Sequence, residues 1–160
     1  MKFKVALIVL SDRAASGKRP DTCIPLMKER LAGAYEIVRE RVLPDDPAAL
    51  QAELIDLADS RAADLVLTSG GTGLSPRDRT PQATSAVIDY DVPGIADAIR
   101  SASIEFVKNA MLSRAVAGVR HRTLIVNFPG NPKAVGEALE VVLPVFPHAL
   151  ELLHDMRPDG

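Results

Sequence analysis

The chain holds a single cysteine, Cys23, no tryptophan, and only four phenylalanines and two tyrosines among 160 residues. One thiol excludes an intramolecular disulfide and any multi-thiolate metal site, and it suits a reducing, cytoplasmic setting. Excess basic charge is missing too: 19 lysines and arginines face 21 aspartates and glutamates, for a formal net charge of -2. Nucleic acid, whose phosphates call for a basic face, is not an expected partner, whereas a small anionic ligand is compatible. No run approaches the ~20 apolar residues of a membrane span, so no membrane partner is expected. The apolar run from Val5 to Leu10 is short for a secretory core, and Asp12 and Arg13 follow where neutral cleavage residues would stand; it reads as a buried strand. Repeats, low-complexity segments and linkers are absent. With 47% hydrophobic residues, the chain is expected to fill one core as a single domain over residues 1–160.

Against these absences stands a regular alternation of strand and helix signals. Residues 3–10, 64–68 and 123–128 are short, nearly continuous apolar runs of the kind covered on both faces, while 35–43 alternates more and marks a half-covered strand through Tyr35, Ile37 and Val42. Helical spacing links Ile24, Met27 and Leu31, then Leu50, Leu54, Leu57 and Ala58, then Ile95, Ile99, Ile104 and Val107 across about 93–109. Pro47, Pro81, Pro93 and Pro132 each read as a first helical residue, where the missing N–H costs nothing, with Asp46, Thr80 and Asn131 as side-chain caps. Pro144 and Pro147 divide the last helical stretch, 132–154, in two, and the terminal "RPDG" is expected to fray. The pattern predicts a three-layer α/β/α sandwich around a mostly parallel central sheet of four strands. Ligands in such sheets bind beyond the carboxyl ends of the strands, where "SDRAASGKRPD", "SGGTGLSPRDR" and "PGNPK" should meet, with "LPDD" supplying acid to the same rim.

The segment at 69–73 is neither a Walker A loop nor a dinucleotide fingerprint. It reads either as a tight strand-to-loop turn or as an anion cradle of backbone N–H groups. Its company favours a ligand: Ser69 and Thr72 offer hydroxyls, Arg77 a phosphate fork, and Asp78 a hard oxygen for a cation. Asp78 between Arg77 and Arg79 equally suits a surface ion pair, and Asp45 a solvated turn before the Asp46 cap. Ser11, Asp12 and Arg13 can cap and pair locally, and Lys18 with Arg19 reads as a solvated pair. Lys133 in a first helical turn opposes the helix dipole unless an anion lies near. His121, His148 and His154 share no spacing and read as packing or surface residues, and Cys23 as a small core residue.

"LTSGGTGLSPRDRTPQAT", with "SDRAASGKRPD", "LPDD", "LSRAVAG" and "NFPGNPKAV", resembles the molybdopterin adenylyltransferases of molybdenum-cofactor biosynthesis, Mog-type relatives of the gephyrin G domain, from Val5 to about Leu152. The resemblance implies a homotrimer, the family's usual state, that joins molybdopterin to AMP from ATP with Mg2+. By matching position it places ATP against Gly70, Gly71, Thr72 and Gly73, makes Asp45 and Asp78 the catalytic, metal-holding acids, and gives Ser113 a pterin-side role. Ser11, Asp12, Gly130 and Lys133 match other parts of the pocket. The chain departs from the family at Cys23, where glycine is common, and at Arg79 and Gln82, where an aliphatic and an acidic residue are common. MoaB-type relatives share most motifs, so binding of pterin or nucleotide without turnover, or a scaffold role, stands as the alternative.

Overall fold

The computed structural model describes residues 2–155; the expected fraying of the last four residues lies outside them. Six strands form one sheet in the order β2-β1-β3-β6-β5-β4: β1 Phe3–Leu10, β2 Tyr35–Leu43, β3 Leu65–Ser69, β4 Tyr90–Asp91, β5 Ala117–Arg120 and β6 Thr123–Phe128. β1 pairs in parallel with β2 and β3, and β3 with β6, whereas β5 runs antiparallel to both β6 and β4. The mostly parallel sheet is thus as expected, with two more strands than the four predicted. The additional pair extends it by a hairpin from β5 to β6 and a short return at β4.

Among the described residues, seven helices cover the sheet: α1 Asp12–Ala15, α2 Cys23–Leu31, α3 Pro47–Asp59, α4 Thr80–Val87, α5 Pro93–Ile104, α6 Pro132–Val142 and α7 Phe146–Leu153. Side chains of a strand alternate between faces, so β1 feeds two cores at once. Val5, Leu7 and Val9 pack with Met27, Leu31, Ile99, Leu139 and Phe146 from α2, α5, α6 and α7. Ala6, Ile8 and Leu10 pack with Leu50, Leu54, Leu57, Ala83 and Val87 from α3 and α4. This double coverage is why the run from Val5 to Leu10 is apolar throughout, and it gives the three layers.

The proline-marked helix starts hold with one change. Asp46 caps α3 by accepting from the Ala48 N–H at 3.0 Å, and the Asn131 side chain accepts from Lys133 and Ala134 at the start of α6. Thr80 does not cap α4 but is its first residue, with Arg79 at the cap making no side-chain bond. The reason is the backbone: the Arg79 carbonyl accepts the first helical bond, from the Ala83 N–H at 3.0 Å, and the Thr80 N–H is satisfied by the Gly71 carbonyl at 3.1 Å instead of by a side-chain cap. The helix expected over 93–109 ends at Ile104, and a 3-10 turn at Lys108–Leu112 follows, so Val107 lies outside both. The last helical stretch is divided in two as expected, with Pro144 in the break after α6 and Pro147 the second residue of α7.

Two polar contacts fasten the layers. Asn127, fully buried in β6, donates through Nδ2 to the hydroxyls of Thr68 at 2.9 Å and Thr84 at 3.1 Å, and its Oδ1 accepts from the Val116 N–H at 3.1 Å. It joins β3, α4 and the entry to β5. Arg120 grips both oxygens of Asp59 at 2.8 and 3.0 Å and also donates to the Val87 carbonyl, tying the ends of α3 and α4 to β5. On the outer edge, Val38 is bulged out of register between the pairs Val5 with Ile37 and Ala6 with Arg39. Beyond it Arg39 and Arg41 pair with Glu53 and Asp56 of α3.

Asn127→Leu is expected to cost on the order of 3 kcal/mol in urea unfolding, because the Val116 N–H loses its acceptor in a dry core and two hydroxyls lose a donor. Arg120 holds the Asp59 carboxyl below its ordinary value of 3.8, mainly through their hydrogen bond. A depressed acid stabilises the fold above the unfolded pKa, and this contribution is lost as pH falls through the folded one. Asp59→Asn should therefore lower the melting temperature at pH 7, with the gap to wild type closing as the pH drops below 3.8.

Candidate active site

The loops that follow β1, β2, β3 and β6 converge on one open cleft of about 610 Å³ at the carboxyl edge of the sheet. Among its walls are Ser11, Asp45, Ser69, Gly70, Gly71, Asp78 and Gly130, all expected from the sequence. The helices after β1 and β6 pack on one face, and those after β2 and β3 on the other. The cleft therefore lies where neighbouring strands send their chains in opposite directions, the usual ligand position in such sheets.

The glycine segment is the tight strand-to-loop turn that was one of its two readings. Gly70 and Gly71 both have positive φ, +102 and +71. A Cβ on Gly70 would run into the Leu10 carbonyl oxygen, and one on Gly71 into the Thr80 hydroxyl, with the Asp45 Oδ1 at 3.4 Å. The turn is required by packing against β1 and α4, and its own backbone is tied in as well: the Gly70 N–H donates to the Phe128 carbonyl and the Gly71 carbonyl accepts from the Thr80 N–H, both at 3.1 Å. Gly130 approaches from the β6 side: its Cβ would sit 3.3 Å from the Gly70 Cα. Ser69 contributes no free hydroxyl, since its Oγ donates to the Pro129 carbonyl at 2.7 Å and fastens β3 to this loop. The Cys23 thiol donates to the Gly130 carbonyl at 3.5 Å beneath the cleft, and burial pushes its pKa up. The core assignment for this cysteine holds, with one face on the cleft floor.

The acids are organised by the backbone. The Asp45 N–H donates to Asp12 Oδ1 at 2.9 Å, and the Asp12 N–H donates to Asp45 Oδ2 at 3.3 Å, so the loops after β1 and β2 are clasped reciprocally. Arg77 closes over Asp12 with two bonds, at 3.0 and 2.8 Å, and holds the Asp12 carboxyl below its ordinary range. Arg77 is thus engaged with a carboxylate 65 positions away and links the β1 loop to the glycine-rich segment. Asp45 differs: burial raises its pKa, and the charges of Asp12 and Asp78 push it further up, against the Asp12 backbone bond and Arg77. Asp78 Oδ2 accepts from the Ser75 N–H at 3.1 Å. Neither Asp45 nor Asp78 has an ion-pair partner among the described residues, so Asp78 is not held in the surface ion pair that its flanking arginines suggested.

Ser113 and Lys133 lie in a second cavity, about 410 Å³, formed by α5, the 3-10 turn and α6. Its wall is more apolar, with Ile99, Phe106 and Val107, and it shares Asn131 with the first cleft. Lys133 has no ion-pair partner among the described residues, in keeping with its unfavourable place at a helix start. Thr72 is buried behind the turn, and Gly73 sits against Asp78, a Cβ there lying 2.9 Å from Asp78 Oδ2. Sequence reasoning missed Arg19, read as solvated, which lines the cleft and donates to the Ser11 hydroxyl at 3.3 Å. It also missed Asp21, which caps α2 and borders the cleft. The proximity of both to the end of β1 was the available signal. Arg79 and Gln82 are exposed and make no side-chain bond at the turn.

Residues 6–148 match the family model described as "Probable molybdopterin binding domain". The chain is 43% identical over 143 residues to a molybdopterin adenylyltransferase of Escherichia coli K12, covering 88% of this chain and 73% of that protein. It is 36% identical over 153 residues to a molybdopterin adenylyltransferase of Helicobacter pylori 26695, covering 93% and 86%. The crystal structure of the molybdopterin biosynthesis enzyme MoaB from Thermus thermophilus superposes with a TM-score of 0.90 at 47% identity, over 96% of this chain and 97% of that one. On this family match and these relatives, the chain belongs to the molybdopterin-binding domain family of molybdenum-cofactor biosynthesis.

Proposed function

We propose that the protein is an enzyme that adenylylates molybdopterin: an oxygen of the pterin's phosphate monoester attacks the α-phosphorus of ATP, and pyrophosphate leaves. The observation that carries this reading is the convergence of Asp45 and Asp78, both without basic partners among the described residues, on a bare glycine turn beside a more apolar cavity holding Ser113 and Lys133. Relatives named for this activity support it at 36–43% identity.

The chemistry asks little of acid–base residues. A phosphate monoester with a second pKa near 6 is largely deprotonated at neutral pH, so no general base is needed to create the nucleophile. The work left to the protein is alignment and control of charge. In this reading, the turn at Gly70, Gly71 and Gly73 holds the triphosphate, Ser11 lines the same cleft, and the Asp12–Arg77 pair stands beside it. Ser113 and Lys133 hold the pterin side, with the ammonium facing its phosphate. Gly130 and Asn131 stand where the two cavities meet.

Magnesium fits the donor set. Among the described residues, no group of three or more His, Cys, Asp and Glu forms a cage, but Mg2+ in phosphoryl-transfer sites is held by one or two carboxylates together with substrate oxygens. Asp45 and Asp78 would hold it, and when bound it neutralises charge on the phosphates. We further read the protein as a cytoplasmic homotrimer; among the described residues no helix is long and apolar enough to cross a membrane.

Incubation with molybdopterin and Mg-ATP is expected to yield adenylylated pterin and pyrophosphate in equal amounts. Tight binding of both substrates without product would replace the enzyme by a binding protein. Asp45→Asn and Asp78→Asn should each lower kcat on the order of 100-fold or more while the melting temperature stays near wild type. Gly73→Ala should reach a related end by pushing aside the Asp78 carboxylate, with a loss of roughly 10- to 100-fold and an intact fold. Full activity in all three variants would exclude the two-carboxylate site. Sedimentation at micromolar concentration should show three times the chain mass of 17.1 kDa, and a monomer would contradict the trimer.

A further inference from the structure

Arg114 has no carboxylate partner among the described residues, although it is half buried next to a site rich in acids. Its hydrogen bonds go to backbone carbonyls of one loop. Its N–H donates to the Thr72 carbonyl at 2.8 Å, its Nε to the Gly73 carbonyl at 2.9 Å, and its Nη2 to the Asp78 carbonyl at 2.6 Å. The guanidinium therefore spans the base of the loop 73–78 and joins both ends. Within that loop, the Asp78 N–H donates to the Ser75 carbonyl at 2.9 Å and the Ser75 N–H returns to Asp78 Oδ2. Leu74, Ser75 and Pro76 are exposed, so little packing holds this stretch.

We infer that Arg114 is a positioning residue that fixes the Asp78 carboxylate by clamping the two ends of its loop, and that it sets this carboxylate at a defined reach from the neighbouring Ser113. The planar fork is what the task requires: two donors with fixed spacing and direction can bind two carbonyls at once, and a lysine ammonium on a flexible stem cannot keep both in one geometry. Ser113 faces the second cavity while Arg114, the next residue, holds the acid of the first, so one dipeptide connects the two halves of the site. The same segment is fixed from behind by Arg100, which donates to the Ala115 carbonyl at 2.7 Å. The inference about turnover rests on the adenylylation reading; the inference about loop order does not.

The test compares wild type with Arg114→Lys and Arg114→Ala in steady-state turnover of molybdopterin with Mg-ATP, thermal unfolding, and amide hydrogen exchange without ligands. Both variants should lose kcat by roughly 10- to 100-fold, with a smaller change in KM for ATP. Exchange should accelerate at residues 73–79 and stay unchanged in β1, β3 and β6. Guanidinium ion, well below denaturing concentration, should restore part of the rate and the protection in Arg114→Ala and do nothing for wild type. Wild-type kcat in Arg114→Lys, or unchanged exchange at 73–79 in both variants, would overturn the inference. A lower melting temperature with faster exchange throughout the sheet would overturn it too, by making Arg114 a general stabiliser. If wild type itself makes no product, the functional reading falls and the exchange pattern with guanidinium decides the positioning role.

Discussion

The approach of three backbones without side chains between them governs this carboxyl edge. Gly70 leaves no room for a Cβ against the end of β1, and Gly130 comes within a methyl's breadth of Gly70 from the end of β6. Three parallel strands can deliver their loops to one point only because nothing protrudes there. The Ser69 hydroxyl and the Cys23 thiol bind the carbonyls of Pro129 and Gly130 from below, so the crossing is pinned as well as bare. Cβ atoms at these glycines would part the loops and open the cleft, whatever the remaining residues were.

Around that crossing, charge is sorted by distance from the cleft. Asp12 is neutralised by Arg77 at the rim, while Asp45 and Asp78, close enough for the Asp78 charge to act on Asp45, have no ion-pair partner among the described residues. Folding thus places Asp45 at an electrostatic cost, from burial first and from the nearby charges of Asp12 and Asp78 second, visible in its raised pKa. Sites that hold such strain are commonly those where a ligand relieves it. The two arginines nearest the acidic loop are used differently. Arg77 meets a carboxylate, and Arg114 meets only carbonyls among the described residues, so its charge is not cancelled by an acid and remains part of the field around Asp78.

Much of this was legible in the sequence. The continuous apolar runs gave β1, β3 and β6 because strands covered on both faces need apolar residues at every position, and the prolines gave the helix starts because their geometry is local. β5 and β4 were not legible: "AGVR" has little strand propensity, and Tyr90–Asp91 is a strand only through its pairing with Val119 and Gly118. Thr80 looked like a cap because its residue type is right for one, and the competing bond to Gly71 is a tertiary fact. For the site, type and setting brought Asp45, Asp78 and the glycines to the same rim but left their roles open, and the family resemblance singled them out. The pairing of Arg77 with Asp12 was hidden, as was the division of Ser113 and Lys133 into a separate cavity, because both depend on residues distant in sequence.

The margins of the sheet have a consequence for how copies of the chain can meet. One margin ends in β4, two residues long, and the other in β2, where a bulge at Val38 breaks the register and paired arginines and acids crowd the strand. Neither margin presents the long, flat row of free N–H and carbonyl groups on which a foreign strand can be added. Association by extending the sheet is thereby discouraged at both ends, and with it the open-ended stacking that leads to fibrils. Contact between copies is then left to side-chain surfaces, which are matched by shape and charge and not by backbone pairing.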